Sequence, residues 1–388
     1  VCCFMSDIQN WPEVRAGPTG QALNRTQFLV IAIVRILILG VSYLATSRTQ
    51  GGRTMTLQVG MLFLLSAWCQ SAPAPPDIPV KPFAPEPILS GGVVLSLYPA
   101  DSPRLKKERI HEAERYNTTL KEKSDRTRSV INIHNPSIEV HLVGDKPENT
   151  GAAVIVAPGG GHQILWVGPE GGDFVPFFKR HGVSTIILRN RLRVDGYDPK
   201  TDAVNDAFQA IRLVRAHAAD WKLDPARIGI MGFSAGAELA APAALFFEDF
   251  GRSNSDPTDP LAKVSARPDF VGVIYPGPTP FTRDPATRIP RNVPPSFIAS
   301  AGSGDRVHAL WANDYFAAML KAGVPNLEMH IYGNGGHGGG LTARGGTPFG
   351  TWTDRYVDWF KDLGFLGRPG KPTKAAADVE AFAKKPAR

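Results

Sequence analysis

Asp224-Pro-Ala-Arg-Ile-Gly-Ile-Met-Gly-Phe-Ser-Ala-Gly236 decides how this chain is read. Arg227–Met231 is a short apolar run of strand length. Gly232-Phe233-Ser234-Ala235-Gly236 follows it, and helix formers continue from Ala235 to about Phe247. A strand that ends in G-x-S-x-G and turns at once into a helix thrusts the serine hydroxyl outward on a strained bend. Gly232 and Gly236 remove side chains that would collide across the bend. The N–H of Ala235 opens the helix, where the dipole is positive, and points to where an oxyanion would form.

Working outward, strands and helices alternate. Val130–Ile133, Ile138–Val143, Ala152–Ala157, Val183–Leu188, Phe270–Tyr275, Ser296–Ser300 and Leu327–Tyr332 read as strands. Phe174–His181, Ala203–Ala219, Asn313–Ala322 and Trp352–Leu363 read as helices. Ala152–Ala157 is apolar throughout, as a strand covered on both faces requires. The alternation predicts an α/β fold with a mostly parallel central sheet, helices on both faces, and chemistry at the carboxyl ends of the strands.

Three further strings fall at such ends. Pro158-Gly159-Gly160-Gly161-His162 follows strand Ala152–Ala157, and its glycines let backbone N–H groups approach a ligand. Gly160 and Gly161, with Ala235, are the expected oxyanion hole. No Lys-Ser or Lys-Thr follows, which disfavours a nucleotide loop. Asp305 follows strand Ser296–Ser300, and His337 sits in Gly335-Gly336-His337-Gly338-Gly339-Gly340 after the last strand. A neutral serine needs a base, and that base needs a carboxylate on its far nitrogen to fix its tautomer and stabilise its cation. Ser234, His337 and Asp305 are the expected triad. The string His337–Gly340 resembles an oxyanion motif, but it stands where the base belongs.

With these motifs in place, residues from about 128 to 364 resemble the bacterial α/β-hydrolase esterases of the acetyl-xylan-esterase and feruloyl-esterase-like group, near the hormone-sensitive-lipase-like esterases. The matching pieces are Pro158–His162, Glu170-Gly171, Leu188–Leu192, Asp206–Arg215, Asp224–Gly236, Tyr275-Pro276 and Gly335–Gly338. The resemblance implies the α/β-hydrolase fold and ester hydrolysis with neither metal nor cofactor. The chain departs from the lipase pattern in three ways: Pro158 precedes the glycines and His162 follows them, Glu238 replaces a small residue or histidine, and Asp305 stands without a second acid. Glu238 reads as a polar residue of the nucleophile helix and leaves specificity open. His162, Trp166 and Trp311 are candidate substrate contacts, since sugar and phenolic rings stack on aromatics.

The chain has 388 residues, a net charge of +7 and ordinary globular composition, which excludes a disordered or collagen-like chain. Its basic clusters, Arg104–Arg109 and Lys121–Arg128, are interspersed with acids and read as solvated faces, not a nucleic-acid site. Cys2, Cys3 and Cys69 are the three cysteines, so the expected catalytic region has neither a disulfide framework nor a thiol nucleophile. Residues 1–72 are expected to be an extension with a secretory signal from Met55, its apolar stretch being Val59–Trp68. Secretion or periplasmic export follows, with cleavage between Ala67 and Ile78. The rival reading makes Phe28–Ala45 a membrane anchor, against which Arg35 stands. Residues 73–90 read as a Pro-rich linker, 91–367 as the catalytic domain, and 368–388 as a basic tail. The expected partner is a small ester or an acylated polysaccharide, with no nucleic acid and no metal. Two other readings are a non-catalytic binding protein, against which the triad argues, and a prolyl-oligopeptidase-type peptidase, which lacks preceding propeller repeats.

Overall fold

Ala153–Ala157 carries five buried apolar residues, and the strand's period of two splits them between two cores. Ala153, Ile155 and Ala157 pack into one layer, Val154 and Val156 into the other. The computed structural model describes residues 81–118, 127–253, 259–341 and 347–385, all within one compact unit, Pro79–Arg388. Its strands are β1 (Val93–Ser96), β2 (Arg115–Thr118), β3 (Thr127–Ile131), β4 (Ser137–His141), β5 (Ala153–Ala157), β6 (Ser184–Arg189), β7 (Ile228–Phe233), β8 (Val271–Ile274), β9 (Ser296–Ala301) and β10 (Glu328–Tyr332). Its helices are α1 (Phe174–Lys179), α2 (Val204–Ala216), α3 (Ala237–Leu245), α4 (Phe247–Ser253), α5 (Pro280–Arg283), α6 (Arg306–Lys321), α7 (Trp352–Asp362) and α8 (Lys374–Ala383).

Eight strands form one sheet in the order β1-β4-β6-β5-β7-β8-β9-β10, and β2 pairs with β3 apart from it. From β6 to β10 neighbouring strands are parallel; β4 and β1 add antiparallel at one edge. Helices α2, α3 and α4 supply Phe208, Leu239 and Phe250 to one core, and α1 and α7 supply Phe178, Trp352 and Tyr356 to the other. Burying each such aromatic contributes about 1.5–3 kcal/mol.

Two strings of the resemblance have a structural explanation. Arg191 makes a two-pronged ion pair with Asp206 on α2, at 2.7 Å from Nη2 to Oδ1 and 3.0 Å from Nε to Oδ2. Arg189, fully buried, donates to Glu139 at 2.6 Å and to Glu114 at 3.0 Å. Such pairs are costly to break singly, because the survivor is left as a buried charge.

Several boundaries differ from the sequence reading. The expected helix Ala235–Phe247 is a 3-10 turn, Ser234–Gly236, then α3, then α4. Helix α6 starts at Arg306, seven residues before Asn313, because Asp305 ends β9's loop directly at the helix. The expected linker is docked over 81–90: Phe83 N–H donates to Ile110 O, and Ile88 and Leu89 donate to the Glu139 carboxylate. The expected tail is docked too. Arg227 donates to the carbonyls of Phe365, Gly367, Arg368 and Lys371, and α8 buries Ala375 and Val379. The signal near Met55, the stretch Phe28–Ala45 and the three cysteines lie outside the described residues. No helix among the described residues is long and apolar enough to cross a membrane.

Candidate active site

The loops after β5, β7, β9 and β10 meet in one cleft. Where β7 ends, Ser234 is held at φ +52°. That left-handed conformation costs a non-glycine residue about 1–3 kcal/mol and is kept only where the surroundings enforce it. The bend is tight enough that a Cβ on Gly236 would lie 2.0 Å from the carbonyl oxygen of Ala157.

Ser234 Oγ lies 2.9 Å from His337 Nε2, and His337 Nδ1 lies 2.7 Å from Asp305 Oδ2. The carboxylate has no hydrogen to give, so Nδ1 carries the imidazole proton and Nε2 is left to accept from the serine hydroxyl. Asp305 is 6% exposed. Burial pushes its carboxyl up, but the N–H groups of His308 and His337 outweigh that and hold it below the usual value. The three expected side chains are thus brought into one hydrogen-bonded relay, which can take a proton from serine and stabilise the resulting imidazolium.

The Pro158–His162 loop faces Ser234 across the cleft. Gly160 has φ +128°, and a Cβ there would lie 1.9 Å from the Ile164 carbonyl oxygen. Glu170 anchors this loop from behind: its Oε2 accepts from Gly159 N–H at 2.7 Å and its Oε1 from the Tyr275 hydroxyl at 2.8 Å. Tyr275 in turn accepts from Gly340 N–H at 3.2 Å and packs edge-on to His337, with ring centroids 5.1 Å apart. Burial pushes the Glu170 carboxyl above its usual value against the pull of these donors. Glu170 and Tyr275 appear in the sequence as family strings only; 105 positions separate them, so their contact has no local signal.

The cleft measures about 690 Å³, and Gly160, Gly161, Trp166, Ser234, His308 and His337 are among the residues that line it. Ala235 is buried directly after Ser234. Trp166 stands 36% exposed at the wall. His162 is not brought to this wall. It has φ +59°, its ring is buried, and its Nε2 lies 3.4 Å from Glu238 Oε1. Trp311 is also off the lining; its ring meets that of His308 edge-on at 5.1 Å. Glu238 pairs with Arg283 at the start of the nucleophile helix.

His308 was missed in the sequence. A reading of Asp305 as the residue that opens a helix would have found it, since position i+3 folds back over the cap. Asp305, His308 and His337 each offer a ligand atom within 4.8 Å of the others, a cluster at metal-binding spacing that the sequence order conceals. Asp305 and His337 belong to the relay, so a cation bound there would compete with the base.

A mostly parallel eight-stranded sheet flanked by helices, with a serine bend after β7 and a histidine loop after β10, is the α/β-hydrolase fold. Residues 180–274 match the BD-FAE family model. The chain is 30% identical over 232 residues to an acetylxylan esterase of Xylanibacter ruminicola, a match covering 56% of this chain and 46% of that protein. The chain thus spans about half the length of that curated relative. An acetyl ester-xyloside bifunctional hydrolase from Caldicellulosiruptor lactoaceticus aligns with a TM-score of 0.52 and 29% identity over 60% of this chain and 90% of its own. Esterase 2 of Thermogutta terrifontis aligns with a TM-score of 0.51 and 20% identity over 73% and 98%, a likeness of fold.

Proposed function

We propose that this protein is a secreted serine carboxylic-ester hydrolase that removes short acyl or aromatic acyl groups from plant polysaccharide. The observation that carries the reading is the relay from Ser234 Oγ through His337 to Asp305, at 2.9 and 2.7 Å. In this reaction Oγ attacks the ester carbonyl while its proton passes to His337 Nε2. The tetrahedral oxyanion is met by N–H groups of Gly160, Gly161 and Ala235. The imidazolium, stabilised by Asp305, gives its proton to the departing alcohol. Water then enters by the reverse route and frees the acid and Ser234. No Lewis acid is required.

The substrate class rests on two supports. Trp166 offers an exposed ring beside an open cleft, a surface on which a sugar can stack. Proteins similar to this chain are named for acetyl esters of xylan and xylosides. Export rests on the apolar stretch Val59–Trp68 after Met55.

The test uses purified protein with p-nitrophenyl acetate, acetylated xylan and feruloylated arabinoxylan. Ser234→Ala should fold normally and lose about 10⁴–10⁶ in turnover. Retention of more than a few per cent of the rate would sink the assignment, and acetate against ferulate release ranks the acyl group.

A further inference from the structure

Asp305 serves two histidines. While Oδ2 accepts from His337, Oδ1 lies 2.5 Å from His308 Nδ1. An anionic carboxylate only accepts, so both imidazoles carry hydrogen on Nδ1 and share one tautomer. The rings lie over one another, with centroids 3.8 Å and planes 25° apart. His308 stands on the first turn of α6, three residues beyond Asp305, and its far side meets the Trp311 ring at 5.1 Å.

The arrangement answers a mechanical need. Asp305 precedes α6, yet its side chain makes no capping bond to that helix. One N–H from His337 would leave the carboxylate free to swing about its Cβ–Cγ bond. A second N–H on the other oxygen fixes the plane. His337 comes from a glycine-rich loop and its side chain is 36% exposed. The His308 ring lies against it.

We propose that His308 is a positioning residue: it locks the Asp305 carboxylate through Nδ1–H and backs the His337 ring, so that the base is held toward Ser234. This rests on the triad reading above. It assigns no proton transfer to His308.

The test compares three variants of the full chain on p-nitrophenyl acetate, with kcat and KM measured separately. His308→Phe keeps a ring and removes the N–H. Its kcat should fall about tenfold to a hundredfold, the scale of a base displaced by an ångström, with KM within about twofold. His308→Asn places an amide N–H near the Nδ1 position and should recover to within about threefold of the parent rate. His308→Gln, whose amide N–H reaches the other ring position, should behave like the phenylalanine variant and replaces it if that protein does not fold. The idea is overturned if His308→Phe or His308→Gln keeps the parent kcat, if His308→Asn is as impaired as they are, or if the change falls on KM alone. Each result is set beside Ser234→Ala. An active His308→Phe with an inactive Ser234→Ala removes only this proposal, whereas an active Ser234→Ala removes the triad itself.

Discussion

Two glycine-rich loops reach Ser234 from opposite sides, Pro158–His162 and Gly335–Gly340, and nearly mirror each other in spelling. They are held by different means. The first is fastened through its backbone: the Glu170 carboxylate grips Gly159 N–H at 2.7 Å from a buried position. The second, tied through its backbone where Gly340 N–H donates to Tyr275 at 3.2 Å, is fastened also through the side chain it presents: His337 hangs on Asp305 at 2.7 Å and stands part exposed. In the proposed mechanism one side must be stationary to receive charge, while the other must exchange protons. The difference teaches that similar strings of glycine serve opposite requirements, and that the anchor tells them apart.

The comparison breaks most severely at the base. Asp305→Asn keeps the shape of the hydrogen-bonded group but favours the wrong tautomer and cannot stabilise the imidazolium. Turnover should drop about 10⁴-fold at neutral pH with thermal stability nearly unchanged, measured by steady-state kinetics and a melting curve. The depressed carboxyl of Asp305 is ionised everywhere above its ordinary pKa near 3.9, and its contribution is lost only as pH falls through the lowered value. Loss of wild-type activity between about pH 7 and 5 therefore cannot come from this carboxyl.

Glu170→Ala should sharpen the contrast, because it strikes stability and rate together. It leaves the Gly159 N–H and the Tyr275 hydroxyl without their acceptor, at about 1–3 kcal/mol each for a buried group. We expect kcat to fall about 10–100-fold and the melting temperature to drop. The folded Glu170 carboxyl is raised, so its stabilisation is complete below the unfolded value near 4.3 and fades as pH rises through the raised one. The melting gap between parent and variant should accordingly narrow as pH rises from about 4 through the raised value. A gap that widens would mean that the ionised form is the favoured partner.

How much of this was legible follows from where each signal lies. The central strands were readable because a strand covered on both faces is apolar at every position, as in Ala153–Ala157. The site strings were readable because they stand directly after those strands. The edge strand β1, with two exposed and two part-buried residues, has no such run, and β2 reads Arg-Tyr-Asn-Thr. The start of α6 was hidden because Val307 and Leu310 are exposed, which blurs the apolar face. His162 and Trp311 looked like substrate contacts by residue type; the structure sets the His162 ring near Glu238 and the Trp311 ring against His308.

Smaller effects bound the comparison. Glu238→Gln should cost at most about tenfold, a barrier change near 1.4 kcal/mol, since Glu238 faces Arg283 and His162 instead of His337. A loss equal to that of Ser234→Ala would move the acid of the relay from Asp305 to Glu238. Smallest of all, EDTA should leave the rate unchanged, while excess Zn²⁺ should lower it by occupying the Asp305, His308 and His337 atoms. Activity lost in EDTA and restored by Zn²⁺ would mean that the cleft works through a metal.

Arg227 carries a consequence for how the protein is made. Its guanidinium, buried at the foot of β7, donates to Thr150 O and to the carbonyls of Phe365, Gly367, Arg368 and Lys371. Four of those five acceptors lie 138 to 144 positions downstream. While a ribosome is still adding α7, the strand that bears the serine already exists, but its cation has only Thr150 O and the Asp224 carboxylate to bond. The nascent sheet therefore lacks four of that cation's five carbonyl acceptors until the segment after Leu363 has emerged, and a chain stopped short of Gly367 would lack three of them for good.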